Sequence, residues 1–316
     1  MQRLSLGRSM LGSAALVALL FGCGGLNGPP FSSSAGGAAA LKATSGDLLY
    51  VANTLAANGV TILTYPQGKY VTTITNIGGP TGICSDTSGN VWLSAYNDGT
   101  HKYHLYKFAH GGTTPIETLG VPGGAWGCAI DPATGDLATW TAFAGSAGQV
   151  DVFPGARQGK PTVYHTHFEP VAGTYDNHGN IFTDGIVNSG DFIFEELGNG
   201  SKTFAPVRLD KPAINPGSLQ WDGKYVVVGE GSISGGPMLY RVRVSGNRGK
   251  VVQSVQLQKL AVPPRFWIAD RAVLASQHGN SVRQIGLYDY PAGGKRLDVF
   301  LGFYNPMGMT VSVAPK

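Results

Sequence analysis

Residues 80–92 read Pro-Thr-Gly-Ile-Cys-Ser-Asp-Thr-Ser-Gly-Asn-Val-Trp, and this stretch decides the fold. A proline opens a short apolar segment, an aspartate and a glycine follow as a turn, and an apolar strand-like run begins after them. The turn glycine recurs at positions 46, 89, 135, 179 and 223, in steps of 43, 46, 44 and 44. A period of this length, with several short strands in each unit, indicates a β-propeller.

The third strand of each unit gives the number of blades. Six such segments end in an aromatic or apolar residue: 60–65, 104–108, 150–153, 192–197, 239–244 and 285–290. The first unit lacks a proline-led strand, whereas the last segment, 306–313, is a proline-led strand with nothing after it. We therefore predict an all-β fold, a six-bladed β-propeller over 47–316 that is closed by the C-terminal strand, because closure removes exposed sheet edges.

Two further residue types recur with the blades. An aspartate stands six residues after each opening position, at 86, 131, 176, 222 and 270, and one per blade is typical of a structural turn rather than of catalysis. Cys84 and Cys128 stand four and three residues after their opening positions. Because side chains alternate along a strand, this offset places the two cysteines on opposite faces. We therefore expect two buried free thiols rather than a disulfide.

The N-terminal residues have the pattern of an export signal. Arg3 and Arg8 precede an apolar stretch, 10–21, that is too short to span a membrane comfortably. It ends in Leu20-Phe21-Gly22-Cys23, which resembles the lipobox of bacterial lipoproteins. The resemblance implies that 1–22 is a signal peptide and that Cys23 is lipidated. The alternative is an ordinary cleaved signal with an incidental cysteine.

The segment 23–46 is rich in Gly, Ser, Ala and Pro, so it predicts a flexible linker between the lipid anchor and the folded domain. Together these features lead us to expect an exported protein of the bacterial cell envelope. It would be membrane-anchored through its N-terminal lipid and would face the periplasm or the cell exterior.

Composition argues against a nucleic-acid partner. The formal net charge is +4 for the whole chain and +2 for residues 24–316, and no stripe of Lys and Arg interleaves with aromatic residues. The sequence also contains no Gly-x-Ser-x-Gly, P-loop or His-Glu-x-x-His motif, so it names no catalytic residues.

The pattern Pro-x-Gly-Ile-x-x-Asp-x-x-Gly-Asn-Val-Trp at 80–92 resembles the NHL-repeat family of propellers. It is also similar to the six-bladed SMP-30 group, which includes gluconolactonase and regucalcin. The resemblance implies that ligands meet one face of the ring or its central channel. It further implies a divalent metal, such as calcium, held by acidic and amide side chains in the channel. Residues available for this role are Asp184, Glu230, Asn188 and Glu169. A fold shared at this level does not fix a reaction.

Candidate ligand-binding residues lie in the loops that the resemblance assigns to this face. They are Tyr96, Asp98, His101, Trp126, Glu169, Asp184, Glu230, Arg265, Trp267 and Tyr304. The loop around Asp98 and His101 is interpreted first as a solvated surface loop and second as a polar recognition patch. His165-x-His167-x-Glu169 would place three metal ligands on one face of a strand, although an exposed outer strand is the favoured interpretation. The four aromatic residues are a candidate platform for a glycan or a peptide, or else packing between blades.

Three functions remain open. The first is an anchored lipoprotein whose propeller binds a ligand, a protein, a peptide or a glycan without catalysis. The second is a metal-dependent hydrolase or lyase of the gluconolactonase-like kind, which requires Asp184, Glu230 and Glu169 to converge. The third is a scaffold in an envelope assembly.

Overall fold

The fold was analysed in a computed structural model. The structure describes residues 46–54, 59–97, 99–141, 147–187, 190–232, 236–260, 264–277 and 283–316. The strands in chain order are β1 (Leu48–Asn53), β2 (Gly59–Thr64), β3 (Tyr70–Ile74), β4 (Gly79–Ser85), β5 (Val91–Asn97), β6 (Lys102–Phe108), β7 (Glu117–Val121), β8 (Cys128–Ile130), β9 (Leu137–Thr141), β10 (Gln149–Phe153), β11 (Thr162–His165), β12 (Glu169–Tyr175), β13 (Ile181–Ile186), β14 (Phe192–Leu197), β15 (Ala205–Pro206), β16 (Arg208–Leu209), β17 (Pro216–Trp221), β18 (Val226–Ser232), β19 (Gly236–Ser245), β20 (Arg248–Gln256), β21 (Pro264–Ala269), β22 (Ala272–Gln277), β23 (Gln284–Asp289), β24 (Arg296–Leu301) and β25 (Pro306–Ser312). A single 3-10 turn, Pro154–Ala156, follows β10. No helix in the described part of the chain is long and apolar enough to cross a membrane.

These strands form six antiparallel sheets arranged as the blades of a propeller, as predicted. Listed from the inner strand outward, blade 1 is β25-β1-β2-β3, blade 2 is β4-β5-β6-β7, blade 3 is β8-β9-β10-β11, blade 4 is β12-β13-β14-β15, blade 5 is β17-β18-β19-β20-β16 and blade 6 is β21-β22-β23-β24. Blade 5 differs from the others, because β16 adds a fifth strand parallel to β20.

The C-terminal strand closes the ring, which confirms the prediction. β25 supplies the inner strand of blade 1 and pairs with β1, with Leu48 opposite Ser312 and Tyr50 opposite Thr310. Side chains reinforce the seam with blade 2: His110 Nδ1 lies 2.7 Å from Ser312 Oγ. The N–H of Ala314 donates to Asp47 Oδ1 at 2.8 Å and fixes the end of the strand.

The hydrophobic core is distributed over the six seams between neighbouring blades. Each buried cluster takes residues from two adjacent blades; Tyr50 and Ile62 of blade 1, for example, pack against Leu93 and Phe108 of blade 2. The last seam joins blade 6 to blade 1, where Leu274 packs with Leu49 and Val311. Because each blade buries its faces only against its neighbours, the ring is stable as a unit and not blade by blade.

The recurring aspartates have the predicted structural role in four blades. One carboxylate oxygen accepts the backbone N–H two residues ahead, at 2.9 Å for Asp86, 2.9 Å for Asp131, 2.8 Å for Asp176 and 3.0 Å for Asp222. Asp270 differs, since it lies in the two-residue turn between β21 and β22 with a φ of 51°. We call the end of the ring that carries these turns the lower end, and the end where the inner strands begin the upper end.

The prediction of two free thiols is wrong. Cys84 and Cys128 form a disulfide between the inner strands of blades 2 and 3, with their Cα atoms 5.7 Å apart. Neighbouring blades present opposite faces to the seam that they share, and Cys84 and Cys128 both pack in the seam between blades 2 and 3. The one-residue offset places the two side chains on opposite faces of equivalent strands, and it therefore brings them together instead of separating them. The disulfide therefore crosses a seam at the wall of the channel.

Buried hydroxyl groups satisfy the backbone where the inner strands are irregular. Thr139 Oγ1 donates to the carbonyl of Gly127 at 2.7 Å, and Thr183 Oγ1 donates to the carbonyl of Ala172 at 2.7 Å. Ser94 Oγ does the same for Gly82 at 3.2 Å. These bonds fix the inner strands, and hence the side chains that the strands present to the channel.

Candidate functional site

The centre of the ring contains a narrow cavity of about 70 Å³. All six inner strands or the residues that open them contribute to its wall. Its lining includes Thr81, Gly82, Ile83, Trp126, Gly127, Cys128, Trp140, Ala172, Ser218, Leu219, Arg265, Phe266, Trp267, Met307, Gly308 and Met309. The strands approach closely here, since a Cβ atom on Gly82 would lie 2.4 Å from the Cα atom of Gly127. This cavity, which we call the upper cavity, therefore has room for only a small chemical group.

Arg265 is the charged residue that lines this cavity. It lies on β21, the inner strand of blade 6, where its backbone pairs with Ser276 of β22. Within the described ranges its guanidinium makes no hydrogen bond or ion pair within 4.0 Å. Burial lowers the pKa of Arg265, and the charge of Asp184 opposes that effect. A guanidinium nevertheless stays protonated in proteins, so the channel contains a cation with unused donors.

Asp184 is the acid that faces this cation. It lies on β13 of blade 4, its side chain is 0% exposed, and neither carboxyl oxygen has a hydrogen-bond partner among the described residues. Burial raises the pKa of Asp184 well above its ordinary range, while Arg265 opposes the shift. The backbone N–H groups of Ala172 and Asp184 also lie near the carboxyl and oppose the shift, but they lack hydrogen-bond geometry. A buried carboxyl without a partner, close to a partly buried guanidinium that also lacks one, is unusual in a folded core and indicates a place for a ligand.

Trp267 joins the upper cavity to the lower half of the channel. It lines the small upper cavity and two larger cavities at the lower end, of about 380 Å³ and about 200 Å³. The larger one is also lined by Tyr65, Ser85 and Asp270. The disulfide between Cys84 and Cys128 borders the smaller one. The roomier part of the channel is thus at the end opposite to the face that the sequence favoured.

Three of the candidate residues form an aromatic group at the upper end, on blades 2 and 3. The ring of Tyr96 lies 5.0 Å from the ring of Tyr103, which lies 6.5 Å from the ring of Trp126. The hydroxyl of Tyr96 lies 3.0 Å from His101 Nδ1. Trp126 is 42% exposed, so the group presents a partly open aromatic surface. Tyr103, which links it, was not among the predicted site residues.

The remaining candidates do not join either group. Glu230 is buried and its Oε1 accepts the N–H of Ile214 at 3.3 Å, while burial raises its pKa. Tyr304 lies on the loop before β25, with the Arg283 guanidinium 4.5 Å from its ring centre. Glu169 begins β12 and pairs with Ile186. Asp98, Asn188 and Cys23 lie outside the described residues.

The metal-site hypothesis gains no support from the described residues. They contain no group of three or more His, Cys, Asp or Glu side chains that could hold a metal ion. Asp184 faces an arginine instead of two further acids, and Glu230 bonds to backbone. Among the described residues these acids are thus dispersed, and His165, His167 and Glu169 do not form a metal-binding group either.

Sequence reasoning missed two buried acids in the third strands. Glu195 of β14 accepts from His167 Nδ1 at 2.6 Å, although His167 itself is mostly exposed. Asp151 occupies the equivalent position of β10, since each acid pairs with a threonine of the second strand. Burial raises the pKa of Asp151 to about 6, against a hydrogen bond from Gln149 and the charge of His165. The only signal in the sequence was a charged residue inside an otherwise apolar strand.

Comparison with known proteins supports the fold but identifies neither a family nor an activity. No protein-family model matches the chain, and no curated protein matches it. Among solved structures it is similar to a "putative 6-phosphogluconolactonase" of Bacteroides fragilis, with a TM-score of 0.53 and 12% identity over 85% of this chain and 98% of that chain. A "putative 6-phosphogluconolactonase" of Bacteroides uniformis is similar with a TM-score of 0.53 and 12% identity, over 82% of this chain and 83% of that chain. Hydrazine synthase of Kuenenia stuttgartiensis is similar with a TM-score of 0.53 and 12% identity, over 73% of this chain and 70% of that chain. At this identity the likeness establishes a shared six-bladed propeller fold.

Proposed function

We propose that this chain is an exported, membrane-anchored lipoprotein whose propeller binds a small anionic ligand in its central channel without transforming it. The observation that carries the proposal is Arg265, a partly buried guanidinium in the channel wall that has no hydrogen-bond partner within the described ranges. A guanidinium binds carboxylate or phosphate through two parallel hydrogen bonds, which are among the stronger ones in proteins. An anionic group in the upper cavity would supply the missing partner.

The neighbouring residues support an organic ligand rather than a free inorganic ion. Trp267 lines both the Arg265 cavity and the lower cavity of about 380 Å³, a volume within the range of small-molecule sites. A ligand with an apolar part against the indole and an anionic end at the guanidinium fits this arrangement. Asp184, which burial holds towards its protonated form, would donate to an oxygen of the same ligand.

Lactone hydrolysis is the second candidate, favoured by Asp184 and by the names of two fold neighbours. A buried carboxyl of raised pKa beside an arginine is a familiar combination at catalytic sites. Two structural neighbours carry the name of 6-phosphogluconolactonase. We rank it second because the described residues offer no group of three or more His, Cys, Asp or Glu side chains that could hold a metal ion.

Thermal unfolding with a panel of anionic probes tests the binding proposal. Gluconate, 6-phosphogluconate and inorganic phosphate would be titrated against the wild type and against Arg265→Met. A ligand at about 100 times its Kd adds about 3 kcal/mol to the free energy of unfolding, which is readily seen as a rise in Tm. We expect a saturable rise for an organic anion that Arg265→Met abolishes. An equal rise in both proteins would show that the channel arginine is not the binding group.

A hydrolysis assay separates the two candidates. Gluconolactone and 6-phosphogluconolactone would be followed by acid release, with wild type and Asp184→Asn compared. Turnover that Asp184→Asn abolishes while leaving the Tm unchanged would establish the hydrolase. Absence of turnover together with ligand-dependent stabilisation supports binding.

Anchoring through Cys23 is tested separately by expressing the full chain with a radiolabelled fatty acid. We expect label and membrane fractionation for the wild type and neither for Cys23→Ala. A soluble, unlabelled wild type would refute the anchor and leave the channel proposal untouched.

A further inference from the structure

Blade 5 contains a concentration of positive charge that the channel does not use. Residues 205–260 contain eight Lys or Arg and three Asp or Glu, a net charge of +5, whereas the whole propeller region 47–316 contains 20 and 19, a net charge of +1. The blade also has the longest hairpin among the described strands, β19 with 10 residues and β20 with 9. The additional strand β16 lies at its outer edge.

Strand register places four of these cations on one face. Arg243 of β19 lies directly opposite Lys250 of β20, and Arg208 of β16 lies directly opposite Arg248 of β20. Residues directly opposite one another share a face, as do Arg248 and Lys250, which are two positions apart on one strand. All four residues are exposed. We call these four residues the cationic face.

The cationic face is electrostatically unfavourable as it stands. Like charges directly opposite one another across strands destabilise a sheet. No residue of the face has an ion pair with any acid in the part of the chain that the structure describes. Two adjacent like-charge pairs are tolerated most readily where an external anion lies between them.

Tyr225 extends the positive region towards the lower end of the ring. Three cations lie near its ring centre: Lys224 Nζ at 5.5 Å, Arg241 Cζ at 4.8 Å and Arg243 Cζ at 5.6 Å. Of these three, only Arg241 has a carboxylate partner among the described residues, Asp222 at 2.7 Å. Arg243 Nη2 donates to the Tyr225 hydroxyl at 3.2 Å, and this bond, with the nearby positive charges, lowers the pKa of Tyr225. The bond also orders Arg243 within the face.

We propose that the cationic face binds the phosphate groups of anionic membrane lipids and holds the propeller against the membrane surface. Its charges are spread along three strands of an exposed sheet, and within the described residues Arg208 alone of the four lines a cavity, a half-open one of about 430 Å³. This spread suits a surface of many anions better than one phosphate. Val252, 36% exposed, adds apolar area beside Lys250. The choice of lipid as the anion source rests on the proposed membrane anchor, but the binding itself needs no lipid on Cys23.

Vesicle co-sedimentation tests this with the full chain carrying Cys23→Ala, so that no lipid can be attached. Vesicles of phosphatidylcholine with about 30% phosphatidylglycerol are compared with phosphatidylcholine alone, at about 0.1 M and about 1 M salt. Each cation near an anionic surface contributes about fivefold in partitioning, so we expect at least about tenfold preference for the anionic vesicles, lost at high salt. A variant with R208Q, R243Q, R248Q and K250Q should lose the preference.

A matched control removes four exposed lysines from other blades: K69Q, K102Q, K160Q and K202Q. It should retain the preference, and the milder pair R248Q and K250Q should lose part of it if the fourfold variant folds poorly. Equal loss in the control, equal binding to both vesicle types, or binding to soluble polyphosphate without binding to anionic vesicles would each overturn the proposal. Arg265→Met should leave vesicle binding unchanged, so failure here is distinguishable from failure of the channel site.

Discussion

Arg265 of blade 6 and Asp184 of blade 4 interact across the central channel without a hydrogen bond or a direct ion pair between them. Each group lies within the electrostatic reach of the other; Asp184 is fully buried, and Arg265 is partly buried. Burying charges in this way costs more than their mutual attraction returns unless further hydrogen bonds are made. The two residues therefore weaken the isolated fold, which is the expected property of a binding site and not of a structural ion pair.

The first prediction concerns the pH dependence of stability. Burial raises the pKa of Asp151 from 3.8 to about 6 in the folded protein. Between these values the folded state holds more protons than the unfolded state, so the free energy of unfolding falls as pH rises and then stays low. This difference in pKa between the folded and unfolded states corresponds to about 3 kcal/mol in the free energy of unfolding.

Asp151→Asn should remove that part of the pH dependence. Urea unfolding of both proteins at about pH 4 and about pH 7.5 measures it, and the difference between the two pH values should shrink by about 3 kcal/mol or somewhat less. Asp176→Asn, at a turn acid of the next blade, is the control and should leave the slope in place. An unchanged slope in Asp151→Asn would contradict the assignment.

The disulfide should stabilise the ring by joining two blades. A link between residues separated by 44 positions lowers the entropy of the unfolded chain, which corresponds to roughly 4 kcal/mol. We expect the double variant Cys84→Ala and Cys128→Ala to lose up to this amount in urea unfolding. Reductant should shift the wild type to the midpoint of the double variant and should not shift the double variant. Identical midpoints with and without the two cysteines would show that the bridge contributes nothing.

Closure by β25 should be indispensable for cooperative folding. A chain ending after Asn305 lacks the inner strand of blade 1 and exposes the edge of β1. It should show no cooperative thermal transition and should aggregate. A chain ending after Val313 retains β25 and loses only the Ala314–Asp47 bond, at a cost of about 1 kcal/mol. Similar melting of both truncated chains would argue against closure as the source of stability.

Periodicity predicted the architecture because it is a local and repeated property. The Asp–Gly turns and the proline-led strands appear in the chain as they appear in the blades, and the C-terminal strand could be assigned by counting. The disulfide was not predicted because alternation within one strand does not show that neighbouring blades present opposite faces to the seam they share. The fifth strand of blade 5 was not predicted because it has two residues, Arg208 and Leu209, which are too few to show a pattern.

The candidate site was predicted as residues but not as an arrangement. Arg265 and Asp184 stood on the same list of polar residues, yet their meeting depends on two blades that are 81 positions apart in the chain. The channel geometry that buries both groups follows from ring closure, which is not a local property. The family resemblance suggested a metal among acids, whereas the described residues place an arginine opposite the acid instead.

The stability of Arg265→Met tests the central claim most directly, because it needs no knowledge of the ligand. If Arg265 is kept for binding, methionine should fill the space without a partly desolvated charge, and the free energy of unfolding should stay level or rise by up to about 3 kcal/mol. The matched control is Arg241→Met, which removes a structural arginine bonded to Asp222 at 2.7 Å and should lower the free energy of unfolding by at least about 1 kcal/mol. A loss of stability in Arg265→Met comparable to that of Arg241→Met would show that Arg265 is a structural partner of Asp184, and the channel site would be refuted.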